Sequence, residues 1–127
     1  MILKWRFFWN ARILGEYDIV IFSGDCLGAL RHVRNDAKKL YYCHTPPRYL
    51  YDLKDRYLSK LPPILRPIFS FAFSVFSKIY KKNLTQFDSI YTNSKNVEKR
   101  LKEYTGYESE IIYPPTDTSR FRPSSSK

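Results

Sequence analysis

Hydrophobic positions fall into two kinds of segment along this chain: short continuous apolar runs, and longer stretches with helical spacing. The short runs are residues 18–22 (Asp-Ile-Val-Ile-Phe), 39–43 (Lys-Leu-Tyr-Tyr-Cys), 88–92 (Asp-Ser-Ile-Tyr-Thr) and 109–113 (Ser-Glu-Ile-Ile-Tyr). Each is closed by turn formers, namely Ser23-Gly24-Asp25, His44-Thr45-Pro46-Pro47, Asn93-Ser94 and Pro114-Pro115. Runs of this kind predict β-strands, and the uninterrupted 18–22 run predicts one buried on both faces.

Helical spacing fills the intervals. Residues 2–14, with Ile2, Trp5, Phe8, Trp9 and Ile13 among them, suit a helix that Gly15 would end. A short helical piece is expected over 26–31. Pro47 is placed to open a helix through Arg48, Leu50, Tyr51, Leu53 and Tyr57, before Pro62 and Pro63 break the chain. Ser94 is suited to cap a helix with Val97, Leu101 and Tyr104 on one face, and Gly106 supplies its stop.

At about 100° per residue, residues 65–82 sort into stripes. Leu65, Ile68, Ala72, Val75 and Ile79 form an aliphatic one; Phe69, Phe73, Phe76 and Tyr80 form an aromatic one beside it; Ser70, Ser74, Ser77 and Lys81 lie roughly opposite the aliphatic stripe. The aliphatic stripe is expected to pack on the sheet. The aromatic stripe would then be covered by a neighbouring helix or, alternatively, enter a lipid headgroup region.

Strands separated by helices require a parallel sheet with right-handed crossovers, so the expected fold is α/β, half of a doubly wound domain. Ligands of such sheets gather outside the carboxyl ends of the strands, where the four closing turns lie.

Composition narrows the picture. With 127 residues, eleven Tyr and nine Phe, the chain carries too much large apolar surface for a disordered segment, and one core is expected. A net charge of +10 predicts an anionic partner: nucleic acid, an acidic lipid surface or a phosphorylated substrate. From Lys78 to Lys102 the basic residues meet only Asp88 and Glu98. Nucleic acid is disfavoured because Tyr and Phe are committed to strands and a core helix, not to a stacking platform. Cys26 and Cys43 read as buried free thiols of a cytoplasmic protein, there being no cleavage-site signature after the start. No apolar run is long enough for a spanning helix, so membrane contact would be peripheral.

Among candidates for chemistry, His44 beside Thr45 and Arg48 could hydrogen-bond a sugar hydroxyl or a phosphate; a packed structural histidine is the competing reading. Arg48 would lie in a first helical turn, which favours an anion, or be an ordinary surface arginine. Asp25 could orient His44 or cap the short helix after Gly24, and Asn93 and Ser94 read as a cap. Cys43 and His44 are adjacent on a strand and point to opposite faces, which disfavours a nucleophile and base pair. Glycine-rich dinucleotide, phosphate-loop and metal-spacing motifs do not occur.

The stretches Tyr42-Cys-His-Thr-Pro-Pro-Arg-Tyr-Leu-Tyr-Asp52, Tyr91-Thr-Asn-Ser-Lys-Asn-Val-Glu-Lys-Arg-Leu101 and Ile111-Ile-Tyr-Pro-Pro-Thr-Asp-Thr-Ser-Arg-Phe121, together with Ser23-Gly24-Asp25, resemble glycosyltransferase family 4, in particular its mannosyltransferase-like members. The resemblance implies a GT-B fold, in which two Rossmann-like domains face each other across a cleft. The acceptor lies mainly on the first and the nucleotide sugar mainly on the second. Residues 1–121 would be the later part of the first domain and residues 122–127 the start of the linker. The first strand with its glycine-rich loop, and the donor-binding domain, would lie outside this sequence, through a truncated gene, a split gene or an excised domain.

The resemblance also implies roles. His44 would be catalytic, contacting the transferred sugar; Gly24, Asp25, Thr45, Arg48, Asn93 and Ser94 would bind substrate; Asp117 would sit at the interdomain crossing. Transfer of a mannose-like hexose to a glycan or lipid-linked acceptor would retain configuration and need no metal or cofactor, the nucleotide sugar being a substrate. The partner would be the missing donor domain or a complementary chain, often beside an anionic membrane, and this chain is not expected to catalyse transfer by itself. The alternative is a basic peripheral membrane module without catalysis.

Overall fold

The computed structural model describes residues 11–117. Its centre is a four-stranded sheet of β1 (Ile19–Ser23), β2 (Lys38–Cys43), β3 (Ser89–Thr92) and β4 (Glu110–Ile111), all parallel and in the order β1-β2-β3-β4. Three α-helices accompany it: α1 (Lys54–Ser59), α2 (Arg66–Leu84) and α3 (Lys95–Thr105). The protein is therefore α/β with a parallel sheet, the partial Rossmann-like layout that the alternation of segments predicts. β4 is shorter than the 109–113 run; its ladder continues only as far as Ile112, whose N–H donates to Thr92 O at 2.9 Å, and Pro114 and Pro115 have no N–H to extend it.

Sheet pairing is fastened at the strand starts. Asp88 N–H donates to Lys39 O at 2.9 Å, while Asp88 Oδ2 accepts from Lys39 N–H at 2.7 Å, so one residue holds β3 to β2 from both sides. Lys39 itself is buried, and its ammonium donates to Asn35 O and Ala37 O at 3.1 Å. Two carbonyl acceptors offset part of the cost of removing that charge from water.

The core lies on one face of the sheet. Val20, Phe22, Tyr41, Cys43 and Thr92 are buried there under Leu27, Leu30, Tyr80, Leu84, Val97 and Leu101. Phe87, at the turn into β3, stacks on Tyr41 and meets Phe22 edge-on. A consecutive strand order with right-handed crossovers sends every connection over the same face. The opposite side of β1 carries Ile19 and Ile21, 59% and 67% exposed. The expectation that β1 is buried on both faces is thus overturned: continuous apolar sequence does not by itself supply a second cover.

Local signals set the helix ends. Ser94 Oγ accepts from Val97 N–H at 3.4 Å, and Gly106, at φ 81°, closes α3 by donating to Lys102 O at 2.8 Å. Val97 and Leu101 are buried as the spacing requires. The helix expected from Pro47 through Tyr57 is instead a 3₁₀ turn, Arg48–Leu50, separated from α1 by Tyr51 at φ −125°, ψ −108°. Of the 2–14 helix, residues 2–10 lie outside the described residues, and Arg12–Glu16 is a 3₁₀ turn. The short helix after Gly24 is also 3₁₀, Leu27–His32. Residues 118–127, with the linker composition, lie outside the described residues.

α2 turns a different face inward from the one its stripes predict. Tyr80 and Leu84 are buried and Ser70, Phe73 and Ser77 half-buried, whereas Ile68, Phe71, Val75 and Ile79 face outward at 63%, 73%, 38% and 47% exposure. The reason lies in the partners. Tyr80 reaches down to Tyr41, their hydroxyls 3.4 Å apart, and Ser77 Oγ donates to Tyr51 Oη at 3.2 Å. Phe73 meets Tyr49 edge-on. Small serines leave room for the 48–51 turn, and long aromatics span the depth to the sheet; short aliphatic side chains would do neither.

Candidate functional site

A parallel sheet has one carboxyl edge, and the described turns after β1, β2, β3 and β4 all leave from it. The register sets what meets there. Ser23 pairs with Tyr42, and Cys43 with Thr92, so residues just beyond β2 come level with those just beyond β1 and β3. Side chains alternate between faces. Ser23, Tyr42 and His44 therefore share the open face, while Cys43 is fully buried on the core side.

His44 is held on that corner by neighbours from two strands. Its Nε2 lies 2.9 Å from Ser23 Oγ. Gly24, at φ 77°, curls the chain away from β1 so that a Cβ there would stand 3.9 Å from His44 Cδ2. Tyr42 presents its ring perpendicular to the imidazole, centroids 5.0 Å apart, and is itself anchored by donating its hydroxyl to Ile112 O at 2.9 Å. The imidazole is exposed to solvent, so a ligand can reach it.

The other expected residues divide. Gly24 belongs to the His44 seat, and Asp25, exposed, follows it in the same turn. The residue that starts the short helix is Cys26, not Asp25, and it makes no side-chain cap bond. Thr45 donates to Pro46 O at 3.3 Å. Asn93 accepts from Ser94 Oγ at 3.1 Å while Ser94 caps α3, so this pair has the capping role read for it. Asp117 lies exposed beyond β4.

Arg48 is engaged. Its Nε donates to Asp52 at 2.9 Å in an i,i+4 ion pair, and the bonds from Arg48 hold the Asp52 carboxyl below its ordinary range. Tyr104 stacks on Tyr51, centroids 4.6 Å apart. The turn after β2 is thereby pinned to α3. A three-residue 3₁₀ turn aligns too few peptides for the anion site expected at Arg48.

Ser23 and Tyr42 lie within the stretches singled out from sequence, yet neither was marked as a site residue. The signal available was parity: Tyr42 is two residues before His44 and so shares its face, and Ser23 ends the neighbouring strand.

Cys26 and Cys43 are free thiols, and burial pushes both above the usual thiol range, which disfavours the thiolate needed of a nucleophile. Among the described residues no group of His, Cys, Asp and Glu could hold a metal ion, and no helix is long and apolar enough to cross a membrane.

No protein-family model, curated protein or solved structure matches the chain.

Proposed function

We propose that this chain is the acceptor-side domain of a retaining GT-B glycosyltransferase resembling family 4, transferring a mannose-like hexose from a nucleotide sugar to a glycan or lipid-linked acceptor. One observation supports it most: an exposed histidine seated by Ser23, Gly24 and Tyr42 at the carboxyl edge of a parallel sheet, the edge where such sheets bind ligands. His44 supplies a hydrogen bond to the transferred hexose. Asn93 and Ser94 order the turn beside it through the α3 cap. Arg48 shapes the β2 exit through Asp52, and the nucleotide is held by a second domain outside this sequence.

A second reading, a basic peripheral membrane module, draws on α2. Its outward face is apolar, and residues 56–87 include Arg56, Lys60, Arg66, Lys78, Lys81 and Lys82 without one Asp or Glu. That combination suits an anionic bilayer surface. The two readings are compatible if the acceptor is lipid-linked.

The test joins the chain to a GT-B donor domain and measures transfer from a panel of nucleotide sugars to glycan and lipid-linked acceptors. Transfer is expected, and His44→Ala should lower it at least tenfold with an unchanged circular dichroism spectrum. A folded protein inert towards every donor, or unaffected by His44→Ala, overturns the glycosyltransferase reading. Sedimentation with anionic and neutral vesicles tests the second: binding to anionic vesicles only is expected, and indifference to both removes it.

A further inference from the structure

The hydrogen bond that holds His44 from β1 lies on the Nε2 edge of the imidazole. Ser23 Oγ meets Nε2 at 2.9 Å, and a Cβ built on Gly24 would come to 3.9 Å from the adjoining Cδ2. Among the described residues Nδ1 has no hydrogen-bonding partner, and the residue is exposed. Ser23 Oγ has His44 as its one side-chain partner among the described residues.

We propose that Ser23 is the positioning residue for His44: its hydroxyl engages Nε2, holds the ring in one orientation and turns Nδ1 outward as the atom that hydrogen-bonds a ligand oxygen. A serine hydroxyl can donate or accept, so the bond to Nε2 survives in either tautomer and leaves Nδ1 to meet the ligand. Without Ser23 the ring loses its fixed orientation. Tyr42, held by Ile112 O, limits rotation from the other side, so the seat is preorganised before any ligand arrives. The ligand's chemistry, a sugar hydroxyl or a phosphate oxygen, rests on the function proposed above; the orientation of the ring does not.

Nitrogen-15 NMR of the histidine-labelled full chain tests the orientation at a pH where the ring is neutral. His44 Nε2 should show the shift of a ring nitrogen hydrogen-bonded to a hydroxyl held in place. Ser23→Ala should move that shift towards the value of a water-exposed histidine, and Ser23→Thr, which keeps the hydroxyl, should restore the wild-type shift. Identical shifts in wild type and Ser23→Ala, with His44 assigned by its absence from His44→Gln, overturn the proposal.

A second arm reads the outward atom in the chain joined to a GT-B donor domain. An Asn amide can place a polar atom near Nδ1, and a Gln amide near Nε2. His44→Asn should retain several-fold more kcat/KM than His44→Gln, and the reverse order overturns the assignment of Nδ1. A molecule that transfers no sugar yet shows the Ser23-dependent shift removes the glycosyltransferase reading and leaves the positioning role standing.

Discussion

Tyr41 of β2 and Tyr80 of α2 bring their hydroxyls to 3.4 Å in the buried core, and this contact decides which side of α2 faces the sheet. Desolvation pushes both phenols well above their ordinary value of 10.0, so the folded chain keeps two protons that the unfolded chain releases in alkali. A raised pKa contributes stability that is fully present below the unfolded value and lost as pH rises above it. Denaturant midpoints should hold level up to about pH 10 and fall beyond it, and the fall should flatten in Tyr41→Phe/Tyr80→Phe.

The same pair yields a coupling test at neutral pH. Each single Phe variant leaves the other hydroxyl short of a partner and should cost about 1–2 kcal/mol. The double variant should cost less than the sum. Additive losses would mean that the hydroxyls act independently.

α2's inward face can be tested by contrast. Leu84 is fully buried, so Leu84→Ala should cost about 2–5 kcal/mol through lost burial and a residual cavity. Ile68, in the aliphatic stripe, is 63% exposed, and Ile68→Ser should fall within about 0.5 kcal/mol of wild type. Equal losses at both positions in urea titrations would restore the aliphatic face as the packing face.

Much of this architecture was legible because its signals are local. Strand runs end at turn formers, Ser94 and Gly106 bracket α3 within their own few residues, and strands alternating with helices predict a parallel sheet whose turns share one edge. The inward face of α2 was not legible, since it is chosen by Tyr41 and Tyr51, far away in sequence, rather than by the stripe with the most aliphatic carbon. The covering of β1 was likewise illegible, because Ile19 and Ile21 read alike whether or not something lies over them. In the candidate site, His44 stood out by residue type and place. Its bond to Ser23 depends on the pairing of Ser23 with Tyr42, which sequence period alone does not give.

Arg48 and Asp52 predict a response to acid. Hydrogen bonds from Arg48 depress the Asp52 carboxyl below its ordinary value of 3.8. A depressed carboxylate contributes stability that is present above the unfolded value and lost as pH falls through the folded one. The bracing of the β2 exit by this pair should therefore persist at neutral pH and loosen below about pH 4. Amide exchange of Tyr51 and Leu53, which donate to Arg48 O at 3.0 Å each, should quicken there relative to the core, and Asp52→Asn should show the quickened exchange already at neutral pH. Protection at Tyr51 and Leu53 that follows the core at every pH would dissociate the ion pair from the turn.

Gly24 separates backbone conformation from packing at the site. Its φ of 77° is a region L side chains rarely adopt, yet a Cβ there would find His44 Cδ2 at an ordinary contact distance of 3.9 Å. Space is available, so the penalty in Gly24→Ala comes from the backbone and should be about 1–2 kcal/mol. Asn enters the left-handed region more easily than Ala, and Gly24→Asn should cost less although its side chain is larger. A steric origin predicts the opposite order, Asn worse than Ala, so chemical denaturation of the two variants distinguishes them. Relief of the strain by rotation of the turn would also carry Ser23 away from Nε2, and Gly24→Ala should then move the His44 ring-nitrogen shifts in the same direction as Ser23→Ala.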